Sequence, residues 1–358
     1  MPSATRLVNC RKFGAVFAFT ASFALLAASM HEYLIVLGGV IPLFVIMGIG
    51  AVVRRSGLLN EQADRSILNL CVHLLLPCLI LDHLIASEAL RQPGNLLLSP
   101  LVGFVVTAGS LVVAGLAARL WRLEPNASRT FRFVAGIFNY GYIPVPLIAT
   151  LYGTRALAVL FLFNLGTETA FWMAGFAPFM GHSPLRDWRR ALTSPVRAII
   201  LGVAINLGTA CFGLRLDDAT LAAAAWGWPV KVALDVVHLI GLCSIPVALI
   251  VIGATMADFW NEFRASTGSG VMVQAVIVRN IVCPLGMVLL AMALPVSREL
   301  KETLVVQAAM PAGVFTLLLT RHNGGNVPVA LQVIFATSAA ALITLPLWIH
   351  LGMKLIGN

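Results

Sequence analysis

The chain has 358 residues, 59% of them hydrophobic and 11% charged, with a net charge of +9 and a mean hydropathy of +0.92. A soluble domain carries about a quarter charged residues, so this composition excludes a water-soluble globular fold and points to lipid as the solvent. In hydrocarbon, every backbone N–H and C=O must be paired within a helix or a closed barrel. The apolar stretches here are continuous for about 20 residues rather than alternating, so an all-α integral membrane protein is expected.

The basic residues lie in short clusters between apolar runs, an arrangement typical of cytoplasmic loops rather than of a nucleic-acid surface. No nucleic-acid partner is expected. The six cysteines (Cys10, Cys71, Cys78, Cys211, Cys243 and Cys283) have no CxxC spacing and lie mostly inside apolar runs, so they read as packing residues. Walker, dinucleotide, metal-spaced His/Cys and G-x-S-x-G patterns do not occur in the sequence. Neither an ATP-driven pump, an enzyme nor a cofactor is expected.

In chain order, Arg6, Arg11 and Lys12 precede an apolar stretch from Phe13 to Ala28. Residues 1–30 read as a signal peptide, a signal anchor or the upstream part of a chain that starts at Met30, and they stand apart from the fold. Ten apolar runs follow, at 33–53, 67–86, 96–118, 132–152, 156–178, 197–213, 232–256, 271–294, 303–320 and 328–353. Turn-rich punctuation such as Arg54-Arg55-Ser56-Gly57 and Arg122-Leu123-Glu124-Pro125-Asn126 separates them. The odd-numbered connections carry about twice the Lys and Arg of the even ones, counting Arg279 with the seventh. They are therefore expected to be cytoplasmic, with both ends of the ten-helix unit facing outward.

Pro77 in run two corresponds to Pro246 in run seven, and Pro144 in run four to Pro311 in run nine. The two pairs share an offset of about 168 residues, the signature of an internal repeat. Five runs per half is an odd number, so the second half enters the membrane inverted. The expected fold is ten transmembrane helices as two inverted five-helix repeats, 31–178 and 197–358, joined by a cytoplasmic linker at 179–196. Asn139-Tyr140-Gly141 precedes Pro144 and Pro146, and Gly313 follows Met310-Pro311. Asn, Gly and Pro together break a helix. An unwound backbone at bilayer depth is tolerated only beside protein or an aqueous cavity. Paired breaks in corresponding helices point to a substrate site.

At these residues the chain resembles the auxin efflux carrier family. Ile41-Pro42-Leu43 through Gly48-Ile49-Gly50, then Arg54-Arg55-Ser56-Gly57-Leu58-Leu59, is similar to that family's first helix and turn. Asn139 and Pro146 match the spacing of its first crossover, although Pro144 stands where Gly is usual. Pro311-Ala312-Gly313-Val314, Val333-Ile334-Phe335 and Leu345-Pro346 match the second half. The resemblance implies a scaffold of runs one, two, six and seven, a mobile domain of the others, elevator-like movement and a homodimer formed through the scaffold.

The expected substrate-binding set is Asn139, Tyr140, Gly141, Pro144, Pro146, Asn164, Met310, Pro311 and Gly313. Helix N-termini meeting there favour an anion. Asn139 can offer an amide to a carboxylate or satisfy backbone groups freed by the break. Glu168, an acidic residue deep in run five, is either a proton carrier or a hydrogen-bonded structural carboxyl. Asn69 with His73, and Asp235 with His238, share helix faces and read as core or scaffold residues. Gln274 and Asn280 read as a polar path, Arg279 as a residue snorkelling to the cytoplasmic surface, and His322–Asn326 as a turn. The leading expectation is a permease for a small organic anion in a bacterial inner membrane. A sodium-coupled organic-anion symporter of the bile-acid type, or a membrane sensor or enzyme, is the alternative.

Overall fold

The computed structural model describes residues 33–183, 189–214, 216, 220–221, 227–266 and 269–357. The predicted N-terminal segment and residues 184–188 of the expected linker lie outside them. Among the described residues, eight helices are long and apolar enough to cross a membrane.

In chain order the helices are α1 (Tyr33–Arg55), α2 (Gln62–Ile85), α3 (Pro93–Leu120), the short α4 (Pro125–Gly136), α5 (Pro144–Phe179), α6 (Ser194–Cys211), α7 (Gly227–Asp258) and α8 (Gly270–Ala293). Two further short helices, α9 (Arg298–Ala308) and α10 (Phe315–His322), precede α11 (Val327–Gly357). The expected single runs at 132–152 and 303–320 are thus interrupted. The first is α4, an unwound stretch at 137–143 and the start of α5. The second is α9, an unwound stretch at 309–314 and α10.

The boundaries differ from expectation for physical reasons. Pro125, read as part of a loop, opens α4, because proline at the first helical position loses no hydrogen bond and has its φ preset. Arg129 and Arg132 therefore lie on a helix. Pro144 likewise opens α5 rather than interrupting it. Gly153, at φ 80 and ψ −173, breaks α5 close to where run four was expected to end. Ser297 caps α9, its hydroxyl accepting from Leu300 N at 3.2 Å.

Three π-helical turns, Cys71–Leu75, Phe171–Phe176 and Ile277–Val282, each stand two residues before a proline: Pro77, Pro178 and Pro284. Proline has no N–H and so frees the carbonyl four residues back, which in lipid needs another donor. Arg132 Nη2 donates to the freed Ala174 carbonyl at 3.4 Å, and Trp348 Nε1 to the freed Asn280 carbonyl at 2.7 Å.

Helix–helix contact in lipid rests on close packing through small residues. A Cβ on Gly50 would fall 2.0 Å from the Ile250 carbonyl oxygen, and one on Gly253 would fall 1.9 Å from that of Met47. The backbones of α1 and α7 therefore touch reciprocally. Helices α3 and α5 repeat the device, Gly103 facing the Phe163 carbonyl and Gly166 facing that of Pro100. The half-buried Arg54 binds Asp64 and Asp258, the latter at 3.0 Å, and donates to the Leu59 carbonyl at 2.6 Å, tying α1, α2 and α7 together. The Asn206 amide of α6 meets the carbonyls of Leu84, Ile85 and Ser87 at the end of α2.

Candidate functional site at the crossover of two interrupted helices

The unwound stretches at 137–143 and 309–314 lie side by side as a short antiparallel pair. Asn139 N donates to the Pro311 carbonyl at 2.8 Å, and Gly313 N to the Ile137 carbonyl at 3.0 Å. This bridge links Phe138 to Ala312 and satisfies backbone groups that have no helical partner. Gly313 eases the approach, since a Cβ there would sit 3.3 Å from the Phe138 carbonyl oxygen, a tight contact.

Side chains from three other helices hold the pair in place. Asn164 Nδ2 of α5 donates to the Tyr140 carbonyl at 2.8 Å, and Gln307 Nε2 of α9 reaches Asn164 Oδ1 at 3.2 Å. From α11, Thr337 Oγ1 accepts the Ala312 N–H at 3.2 Å. The Asn139 side chain is only 9% exposed, and its amide makes no hydrogen bond within the described residues.

The residues singled out from the sequence take distinct places. Asn139, Tyr140 and Gly141 lie in the first unwound stretch, and Met310, Pro311 and Gly313 in the second. Asn164 touches the first stretch directly. Pro144 and Pro146 stand in the first turn of α5. Glu168 accepts from the Tyr140 hydroxyl and from Trp172 Nε1, the latter at 3.1 Å, so it joins the crossover through Tyr140.

Others lie elsewhere. His73 contacts Ser194 Oγ at 2.6 Å, and Asn69, four residues before it, is exposed. His238 and His83 both engage Asp82, His238 at 2.9 Å. Asn280 ties α8 to α11 through the Thr337 carbonyl and Thr344 Oγ1. Residues His322–Asn326 close as the expected turn, with Gly324 at φ 68.

Arg279 is the main correction. It does not snorkel: it is 0% exposed. Its guanidinium lies 5.1 Å from the centre of the Phe138 ring, and Nη2 donates to the Ala308 carbonyl at 3.3 Å and touches Met287 Sδ. Nine residues from the start of α8 correspond to roughly 13 Å of helix rise, too far for the stem to reach the surface when packing points it inward. Ala308 ends α9, so the cation also meets the negative end of that helix. Nε and Nη1 have no hydrogen-bond partner among the described residues.

A bundle of apolar helices that brings two interrupted segments together, backbone against backbone, beside buried polar side chains defines a membrane transporter. The profile of the membrane transport protein family matches residues 35–185 and 183–349, and the chain belongs to this family, that of the auxin efflux carriers. It is similar to an uncharacterized transporter of Methanothermobacter thermautotrophicus, with 23% identity over 312 residues, 86% of this chain and 96% of that protein. It is also similar to an uncharacterized transporter of Schizosaccharomyces pombe, with 29% identity over 103 residues, 28% of this chain and 23% of that protein.

Proposed function

We propose that this transporter is a permease that moves a small organic anion, bound where the two unwound stretches meet. The observation that carries the reading is Arg279, a fully buried guanidinium with two nitrogens unengaged, set against the crossover residue Phe138. An isolated buried charge is expensive. A carboxylate arriving there would receive charge-assisted hydrogen bonds, and the free Asn139 amide would add a neutral donor.

The fold proposed with it is ten transmembrane segments in two inverted five-helix repeats, 31–178 and 197–358. Eight long helices supply the framework. Counting α4 with the start of α5, and α9 with α10, as interrupted crossings, and dividing α5 at Gly153, gives ten. Elevator-like movement, a homodimer through the scaffold, a cytoplasmic-membrane location and outward-facing ends belong to the same proposal. Without Arg279, the odd-numbered connections of the second half hold only Arg264 and Arg321, against Arg215, Lys231, Arg298, Lys301 and Lys354 in the even connections and C-terminus, so the proposed orientation rests on the first half.

The test is uptake and exchange by proteoliposomes of malate, malonate and indole-3-acetate, each with and without proton or sodium gradients. Arg279→Gln is expected to weaken the transported anion's apparent affinity about 10- to 100-fold, the equivalent of a charged hydrogen bond. Arg279→Lys, which keeps charge but loses the fork, should fall between. If no carboxylate moves, and ligand binding by Asn139→Ala matches that of the parent, the reading fails.

A further inference from the structure

Away from the crossover, Leu97, Leu101, Val105, Val112, Leu116 and Leu120 of α3 are 52–78% exposed. Their spacing by fours and sevens places them on one helix face. In a membrane protein such a face meets acyl chains. The stripe runs into a groove of about 360 Å³ between α3, α4 and the end of α5. Val112 and Leu116 form its lip, Phe133 and Phe179 its apolar back, and Arg119, Arg129 and Arg132 its charge. None of its lining residues is acidic.

The arginines are positioned rather than scattered. Arg129 stacks over Phe179, 5.2 Å from the ring centre, and donates to Asn126 Oδ1 at 3.1 Å. Arg132 is anchored on the Ala174 carbonyl. Helix α4 begins at Pro125, which also lines the groove, with no side-chain cap on its first-turn N–H groups. Basic residues at a helix end often serve only to set topology. That role does not require three of them to converge on one concavity with an aromatic wall and an acyl-length stripe leading to it.

We infer that this groove binds the phosphate headgroup of an anionic phospholipid, whose acyl chains lie along the exposed stripe of α3. A soluble phosphate shares the headgroup's chemistry, but only a lipid would also use Leu97 to Leu120. Basic pockets between transmembrane helices are suited to such headgroups. The inference is independent of the substrate proposed for the crossover.

The test is thermal unfolding of the full chain in neutral detergent with added phosphatidylglycerol, phosphatidylcholine or glycerol 3-phosphate. Phosphatidylglycerol alone is expected to raise Tm, by about 3 °C or more near saturation. Arg119→Gln combined with Arg129→Gln should abolish the rise. Arg65→Gln with Arg264→Gln, which removes the same charge from exposed sites outside the groove, should preserve it. Native mass spectrometry of the unaltered chain should retain phosphatidylglycerol in preference to phosphatidylcholine, a readout that needs no variant to fold. An equal rise with phosphatidylcholine would overturn the proposal, as would an equal rise with glycerol 3-phosphate. So would a rise that survives the groove variant or vanishes in the control, or the absence of lipid preference in the mass spectrum.

Discussion

Thr337→Val isolates one hydrogen bond that holds the crossover. Thr337 is 0% exposed on α11, where its hydroxyl donates to the Val333 carbonyl at 2.8 Å and accepts the Ala312 N–H at 3.2 Å. Ala312 is the bridging residue of the second unwound stretch and is 1% exposed, so its N–H has no water to turn to. Valine has nearly the same volume as threonine, so no cavity opens, and the Val333 carbonyl keeps its place in the α11 ladder. The cost is then that of stranding one buried donor, about 1–3 kcal/mol. For a domain of 150–250 residues each kcal/mol is worth about 2–4 °C, so a Tm lowered by roughly 2–12 °C is expected. Thr337→Ser retains the hydroxyl and should lose about 0.5–1.5 kcal/mol, as for a buried methyl. Fluorescence-detected unfolding in detergent, paired with transport by the same preparations, reads both effects. A Thr337→Val variant that unfolds with the parent while Thr337→Ser falls below it would refute the assigned role of this contact.

The remaining expectations concern packing and coupling. A Cβ at Gly166 would lie 1.7 Å from the Pro100 carbonyl oxygen and 2.7 Å from Phe104 N, so Gly166→Ala must part α3 from α5. It should cost about 3 kcal/mol or more, seen as lost monodispersity in gel filtration, whereas Gly109→Ala, with nothing within 4 Å of its Cβ, should be neutral or gain about 0.5–1 kcal/mol. Asn206→Ala removes the amide shared by three carbonyls at the end of α2 and should lower stability by about 1–3 kcal/mol, read as a Tm shift. Tyr140→Phe and Glu168→Gln act on one contact, so their effects on transport should be non-additive by about 0.5–3 kcal/mol in a double-mutant cycle. Strict additivity would place Glu168 outside the crossover.

What was legible from sequence was whatever local chemistry decides. Apolar runs must be helical in lipid, and Asn139–Gly141 and Pro311–Gly313 carry helix-breaking residues, so the position of both unwound stretches could be read directly. The register of the breaks was less legible. Prolines at 125 and 144 start helices as readily as they end them, and neighbouring residues alone do not choose between the two. Gln307 was missed altogether. Its partner Asn164 lies 143 residues away, and only the pairing of the two halves brings them together. The π-turn at Cys71–Leu75 was not legible either, since five residues leave no periodic signal.

Arg279 shows the same limit at the site itself. An arginine inside an apolar run looks alike whether its stem climbs to the surface or turns inward, and the choice falls to Phe138 and Ala308 from the two halves. Its burial also alters the chemistry expected of the crossover. Helix α5 begins with prolines at 144 and 146, so two of the N–H groups that a helix start normally offers are missing. The dipole field of α5 persists, but its capacity to donate is reduced. Helix α10 starts without a side-chain cap, yet Thr316 and Leu317 already turn their N–H groups onto Gly313 and Val314. Arg279 Nε and Nη1 are buried side-chain donors without a hydrogen-bond partner among the described residues, and their guanidinium lies beside Phe138 of the junction. On the proposed reading, selection of an anion rests on a side chain of α8 more than on the helix ends that first drew attention to the site.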